Sequence, residues 1–379
     1  MKKIAVIGST GSIGRQVLNV IRRWSDRFEV TSLAAGGNAR LFLQQITEFK
    51  PKIATLAKGD EEIEAQIPEG VEYFCGENAF TNAICEEADV VVIALVGFKG
   101  IIAVLDAIAK KKNIALANKE SLVAGGELVM RFAKENGVKI LPVDSEHSAI
   151  WQALNFDFSA PFKKLILTAS GGAFRDYTYE RLKTVTAQEA LKHPNWKMGA
   201  KITVDCATLV NKGFEVIEAK WLYNAPFDKI DVIIHRESII HSMVELYDGA
   251  VIAQMSYPSM ELPIQLALTY PERINTGIRG LDFPALHTLT FEAPDKDRFP
   301  CLDCIINAGK SGGLYPAVAN AANECAVNLF LQNRITFTDI YRAIDGALNA
   351  FEGARLTDFG SIERADDFSR RFVNKLFGV

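Results

Sequence analysis

Asp144, Ser145, Glu146 and His147 follow the apolar run Val138–Val143 and place two carboxylates, a hydroxyl and an imidazole within four residues. In an extended segment residues i and i+2 point the same way, so Asp144 and Glu146 are expected to converge. Two crowded acids repel unless something positive sits between them. A divalent metal with oxygen ligands is the natural occupant. An exposed acidic pair at a strand end is the plainer alternative. The position of the pair, at the end of a nucleotide-binding pattern, favours the metal.

That pattern starts at the N-terminus. Lys3–Ile7 reads as a short buried strand, Gly8-Ser9-Thr10-Gly11-Ser12-Ile13-Gly14 follows at once, and Arg15–Trp24 has the apolar spacing of a helix. Strand, glycine turn and helix are the context of a dinucleotide fingerprint, because glycines admit a pyrophosphate and the helix N-terminus offers it unpaired N–H groups. A purely structural turn is the alternative. The next strand, Phe28–Ala35, closes as Gly36-Gly37-Asn38-Ala39-Arg40 without the carboxylate that usually grips a ribose 2′-hydroxyl. A carboxylate would repel a 2′-phosphate, whereas Asn38, Arg40 and backbone N–H groups accept one, so NADPH is favoured over NADH. The other reading of Arg40 is a solvated residue at a helix start.

Strands and helices continue to alternate through Lys52–Leu56, Asp89–Ala94, Asn113–Ala117 and Val138–Val143, which predicts a mostly parallel sheet. Ligands in such folds gather at the carboxyl ends of the strands. Asn118-Lys119-Glu120-Ser121 falls on that edge, so Lys119 shares a rim with the cofactor and the acidic pair, unless it is a plain surface lysine.

Beyond residue 150 the pattern changes. Lys163–Ala169 is an expected strand leading into Ser170-Gly171-Gly172, a loop able to offer donors to an anion or simply to turn. In His193-Pro194-Asn195-Trp196-Lys197-Met198-Gly199, proline and glycine bracket a tryptophan that suits a lid or, alternatively, packs on the core. Ile202–Leu222 is expected to be one helix with Asn211, Lys212 and Glu215 on a single face. Such a face suits a phosphorylated substrate beside a metal, and equally suits a surface ion pair of little energetic consequence.

Composition describes an ordinary enzyme of 379 residues. The net charge of −4 leaves no basic footprint for nucleic acid. No apolar run reaches membrane-spanning length, and Met1-Lys2-Lys3 leads into a strand rather than a signal peptide. Six cysteines in so long a chain suggest reduced thiols and a cytoplasmic location. Cys301-Leu302-Asp303-Cys304 lacks the second pair of a zinc site and reads as structural, as do His235, His241 and His287.

The ordered motifs GSTGSIG, GGNAR, ANKES, VDSEHSAIWQ, TASGGAF, HPNWKMG and NKGFEVIEA, with Asn320-Ala321-Ala322-Asn323-Glu324 beyond them, resemble the 1-deoxy-D-xylulose 5-phosphate reductoisomerase family over essentially the whole chain. The resemblance implies NADPH- and metal-dependent rearrangement and reduction of 1-deoxy-D-xylulose 5-phosphate to 2-C-methyl-D-erythritol 4-phosphate, in non-mevalonate isoprenoid synthesis. It further implies NADPH contacts from Thr10, Gly11, Ser12, Ile13, Gly36, Asn38, Asn118, Glu120 and Gly199. Asp144, Glu146 and Glu215 would hold one Mg2+ or Mn2+, with Co2+ as a third option. Lys119, Ser145, Glu146 and His193 would surround the reacting carbons, with Lys119, Glu146 and His193 as the catalytic set. Ser170, Asn211 and Lys212 would take the phosphate, and Trp196 would ride on a mobile flap. One departure stands out: the family pattern carries serine where this chain has Cys206, a weaker donor at that phosphate contact.

The expected fold class is α/β: a Rossmann-like dinucleotide-binding domain (1–144), an α+β catalytic and dimerisation domain (145–270), a linker (271–297) and a C-terminal α-helical bundle (298–379). The family also implies a homodimer, with a small phosphorylated ketose as substrate and neither nucleic acid nor membrane as partner. Two rivals remain on the residues alone, a metal-independent NADP-dependent semialdehyde or polyol dehydrogenase and a non-enzymatic NADP-sensing protein.

Overall fold

Seven short parallel strands carry the first part of the chain: β1 (Lys2–Ile7), β2 (Phe28–Ala35), β3 (Ile53–Leu56), β4 (Glu72–Cys75), β5 (Val90–Ile93), β6 (Asn113–Leu116) and β7 (Ile140–Pro142). They form one sheet in the order β4-β3-β2-β1-β5-β6-β7, and every pairing is parallel. Parallel sheets are covered on both faces, so their strands read as continuous apolar runs. Ile4, Ala5, Val6, Ile7, Val91 and Ile93 are all fully buried, as that requires. The strand order reverses at β1, whose neighbours are β2 and β5. In open α/β sheets the crevice at such a reversal receives the ligand.

The computed structural model describes residues 1–196, 198–275 and 277–379. The chain divides into two compact units. The first holds the seven-stranded sheet and comprises Met1–Ser121, Val129–Ser148 and Ser259–Ile278; the second comprises Leu122–Leu128, Ala149–Pro258 and Arg279–Val379. No helix among the described residues is long and apolar enough to cross a membrane.

The second unit contains a mixed four-stranded sheet, order β11-β10-β8-β9, from β8 (Lys164–Ala169), β9 (Ile230–Ile234), β10 (Ile240–Glu245) and β11 (Val251–Met255). β8 and β9 are parallel, whereas β10 runs antiparallel to β8 and β11. Asp248-Gly249 turns the β10–β11 hairpin with Gly249 at φ +89°, a conformation glycine adopts without steric cost.

Four long helices complete this unit: Cys301–Ser311, Tyr315–Leu331, Asp339–Ala350 and Phe359–Phe377. The first packs on the helix Val210–Leu222 so closely that a Cβ at Gly213 would fall 2.7 Å from Ile305. Asp205 is buried and takes Lys201 Nζ at 2.9 Å and Asn323 Nδ2 at 2.8 Å, which ties the helix Ala200–Thr208 to Tyr315–Leu331.

One local expectation is corrected, and two segments gain detail. Ile202–Leu222 is two helices, Ala200–Thr208 and Val210–Leu222, separated by Leu209 in the left-handed region at φ +62°. The segment 271–297 contains a helical turn at Phe283–Leu286 and an isolated bridge from Glu292 to Ile234. Cys301 and Cys304 lie on a helix, where burial pushes the Cys304 thiol up to about 12.

Candidate active site

The glycine turn after β1 is fixed by backbone contacts. Gly8 and Ser9 donate to the Ala34 carbonyl at 2.9 and 2.8 Å, and Gln45 Nε2 donates to the Ser9 carbonyl at 3.0 Å. Gly8 has φ +96°, and a Cβ there would meet the Ala94 carbonyl oxygen at 2.5 Å. A Cβ at Gly14 would fall 2.2 Å from the Gly8 oxygen. The turn delivers Gly11, with Thr10 before it and Ser12 and Ile13 after it, to the N-terminus of the helix Ser12–Arg23, which has no side-chain cap and no acidic residue in its first turn. Its unpaired N–H groups suit an anion.

At the end of β2, Gly36, Asn38 and Arg40 are exposed, and Asn38 Oδ1 accepts the Leu41 N–H at 3.3 Å as the cap of the helix Ala39–Phe49. Asn118, fully buried at the end of β6, ties neighbouring loops together. Its Nδ2 donates to the carbonyls of Leu95 and Gly97, both at 3.1 Å, and to Glu120 Oε2 at 3.0 Å, while Oδ1 accepts from Ser121 Oγ.

The acidic pair occupies a different backbone from the one its sequence suggested. β7 ends at Pro142 and the helix Ser145–Ala153 begins at once, with the Ser148 N–H on the Asp144 carbonyl at 2.8 Å. Asp144 therefore precedes a helix and Glu146 lies in its first turn, where negative charge is favoured. Lys119 Nζ lies 2.7 Å from Asp144 Oδ2, and His147 Nδ1, on a fully buried ring, lies 3.6 Å from the same oxygen. Burial alone would raise the Asp144 carboxyl, but the Lys119 ammonium and the His147 ring outweigh it, and Asp144 is held well below the usual carboxylate range. Ser145 Oγ donates to Glu146 Oε2 at 2.5 Å.

In the second unit, β8 leads into Ser170-Gly171-Gly172, with both glycines at positive φ. Ser170 Oγ lies 2.9 Å from His193 Nε2 and accepts the Gly172 N–H at 3.2 Å. His193 Nδ1 accepts the backbone N–H of Asn195 at 3.2 Å and of Trp196 at 3.0 Å. A ring nitrogen that accepts two N–H bonds carries no proton, which assigns the neutral ring's proton to Nε2 and makes that atom the donor to Ser170. Ser170 then keeps its own hydroxyl proton for an anion. Trp196 is part-buried with its ring 6.0 Å from that of His241. Lys197, in the same motif, lies outside the described residues.

Asn211, Lys212 and Glu215 are all buried on the helix Val210–Leu222. Asn211 Nδ2 donates to Glu215 Oε1 at 2.5 Å and the Lys212 ammonium pairs with Glu215 Oε2. This is a buried ion pair, not the solvated surface pair that spacing left open. Cys206 is part-buried on the preceding helix, and a Cβ at Gly172 would lie 2.5 Å from its carbonyl oxygen. Gly199 is exposed just before that helix.

The structure thus joins Lys119 to Asp144, Ser170 to His193, and Asn211 and Lys212 to Glu215. Sequence reading missed Asn195, whose amide donates to the Arg236 carbonyl and to Ser238 Oγ. Its place between proline and tryptophan in a motif already singled out was the available signal.

Comparison with known proteins gives a consistent result. Residues 4–126 match the family model for 1-deoxy-D-xylulose 5-phosphate reductoisomerase, and 140–223 and 255–372 match two models for C-terminal domains of the same enzyme. The reductoisomerase of Caldanaerobacter subterraneus subsp. tengcongensis is 52% identical over 353 residues, covering 92% of each chain. That of Heliobacterium modesticaldum is 49% identical, covering all of this chain and 98% of the relative. Among solved structures, the reductoisomerase from Zymomonas mobilis in complex with NADPH aligns with TM-score 0.93 and 38% identity over 99% of both chains. A DOX-P reductoisomerase in complex with NADPH, fosmidomycin and magnesium aligns with TM-score 0.94 and 36% identity over all of this chain and 98% of the other.

Proposed function

The chain belongs to the 1-deoxy-D-xylulose 5-phosphate reductoisomerase family, and from that premise we propose that it converts 1-deoxy-D-xylulose 5-phosphate to 2-C-methyl-D-erythritol 4-phosphate with NADPH and one divalent cation. The observation that carries this reading is similarity along the whole chain to enzymes of one activity, with Asp144, Glu146, His193 and Glu215 all inside one matched segment.

Two features of the molecule fit the groups this reaction needs. The glycine turn after β1 has no room for a Cβ at Gly8 or Gly14 and opens onto an uncapped helix N-terminus, as a pyrophosphate requires. Asp144, Glu146 and Glu215 each offer a carboxylate oxygen, a donor set whose chemistry suits a hard cation such as Mg2+ or Mn2+. When bound, the cation supplies Lewis acidity at the adjacent oxygens of the ketose, and NADPH supplies hydride.

The chain's own groups do the remaining work in this reading. Lys119 balances the charge of Asp144 and stands ready to stabilise or protonate an oxygen of the substrate. Ser145 orients Glu146 through its hydroxyl. Ser170, with its acceptor sites filled by His193 and Gly172, turns its remaining proton toward the phosphate. Asn211 and Lys212 extend that site, and Glu215 orders both. Trp196 covers the substrate and excludes water. Thr10, Gly11, Ser12, Ile13, Gly36, Asn38, Asn118, Glu120 and Gly199 are assigned to NADPH, with the main chain of Asn118 as its contact because its side chain is occupied.

The division into 1–144, 145–270 and 298–379 with a linker at 271–297 belongs to the same reading, as does a cytoplasmic homodimer. An edge strand, β11, with Val251 and Ile252 half-exposed, supports pairing with a second copy.

One assay tests the activity. Purified protein is mixed with NADPH, Mg2+ and 1-deoxy-D-xylulose 5-phosphate, and loss of reduced cofactor is followed with and without EDTA. Chelator-sensitive oxidation is the expected result. EDTA-insensitive turnover indicates a simple dehydrogenase, and binding without consumption indicates a sensor. Full activity in Asp144→Asn or Glu215→Gln removes the metal assignment.

A further inference from the structure

We infer that Asn195 is a positioning residue that holds His193 in the Nε2–H tautomer and aims that proton at Ser170. The inference rests on the proposed phosphate site for its kinetic consequence, but its structural consequence stands alone.

The amide of Asn195 makes two short bonds to one loop. Nδ2 donates to the Arg236 carbonyl at 2.6 Å and to Ser238 Oγ at 2.7 Å. That loop is itself braced. The buried His235 ring accepts the N–H groups of Ile239 and Ile240 on Nε2, at 3.2 and 3.1 Å, and its Nδ1 lies 2.9 Å from the Thr290 carbonyl. The Arg236 guanidinium is paired with Asp176 at 2.8 Å and with Glu292. Arg175 adds a bond to the Ser170 carbonyl at 2.8 Å.

Asn195 therefore fastens the root of the 193–199 segment to a point that does not yield. With its side chain anchored, the backbone N–H groups of Asn195 and Trp196 face inward onto His193 Nδ1. These two donors exclude a proton from Nδ1 and leave Nε2 as the donor to Ser170. The His193–Ser170 pair is thus positioned by the protein's own groups. Preorganisation of this kind lowers the cost of binding rather than adding a contact.

The test uses the full chain and two variants. In Asn195→Ala both anchors are lost; in Ser238→Ala one is lost and the Arg236 carbonyl contact is kept. Nitrogen chemical shifts of the His193 ring, in protein labelled at histidine, report the tautomer directly. The wild type should show one protonated Nε2 and one unprotonated Nδ1, and Asn195→Ala should show averaged signals. KM for the phosphorylated ketose should rise about tenfold in Asn195→Ala and about threefold in Ser238→Ala, as expected for two and one lost hydrogen bonds, with kcat changed less than KM.

If Asn195→Ala does not fold, Ser238→Ala is the deciding variant, with partial averaging of the His193 signals expected. An unchanged His193 spectrum in the folded variant overturns the inference, even if activity falls. An altered spectrum in a protein that does not turn over the ketose upholds the tautomer assignment and counts instead against the proposed reaction.

Discussion

In the proposed reading the two glycine loops, Gly8–Gly14 after β1 and Ser170–Gly172 after β8, solve anion binding in opposite ways. The first is built from main chain. Gly8 and Gly14 pack against the carbonyl oxygens of Ala94 and Gly8, and the binding groups are exposed N–H donors at the start of a helix. The second also contains a glycine pressed on a carbonyl, Gly172 on Cys206, but its donors are side chains drawn from separate segments: Ser170, His193 and the buried set on Val210–Leu222. A main-chain site needs only the right turn and tolerates varied side chains. A side-chain site depends on charges that must be paired before the ligand comes.

The largest expected effect lies in the side-chain site. Glu215→Gln removes one side of the buried ion pair with Lys212. Breaking a buried pair from one side costs roughly 3–5 kcal/mol, which urea titration should record. Turnover should fall at least about a hundredfold if Glu215 is the metal ligand proposed above.

Next, the same lesion in each loop should separate their tasks. Gly14→Ala forces a Cβ against the Gly8 oxygen and should weaken NADPH binding about tenfold or more, by fluorescence titration, while leaving affinity for inorganic phosphate unchanged. Gly172→Ala, at φ +72°, should do the reverse. Equal loss of both ligands in either variant would erase the distinction between the loops.

A smaller effect concerns Lys119 and pH. Asp144 has a lowered folded pKa, so its stabilising contribution is complete above about pH 4, the ordinary carboxyl value. It is lost only as pH falls through the lowered value. Lys119→Met removes the main favourable charge, and the loss should move to higher pH in urea midpoints measured across the acid range. The smallest effect is expected from Cys206→Ser, which restores a stronger donor and should lower KM for the ketose by no more than about threefold. A null result there assigns the contact to the backbone.

These differences also explain what the sequence disclosed. The β1–glycine–helix unit was legible because every part of it is local: an apolar run, fixed glycines, then helical spacing. Asp144 and Glu146 were identified through the wrong geometry, since the chain turns into a helix at Ser145 instead of continuing as a strand. Leu209 was invisible as a break, because leucine favours helices and nothing in its residue type marks a left-handed backbone. The pairing of Lys119 with Asp144 joins residues from different strand ends, and no periodicity encodes it. β4 and the helix Cys301–Ser311 escaped as well, the one short and largely exposed, the other opening on a cysteine pair read only as structural.

The contact between Gly213 and Ile305 has a wider consequence. It couples an apolar position with no chemical role to the helix that carries Asn211, Lys212 and Glu215 on the flanking turns. Selection acting on catalysis must therefore reach into the hydrophobic surface of Cys301–Ser311, and substitutions at Ile305 should be tolerated only within a narrow range of side-chain volume. Adaptive change in such an enzyme would accumulate there as compensating size exchanges, at side chains that carry no chemistry of their own.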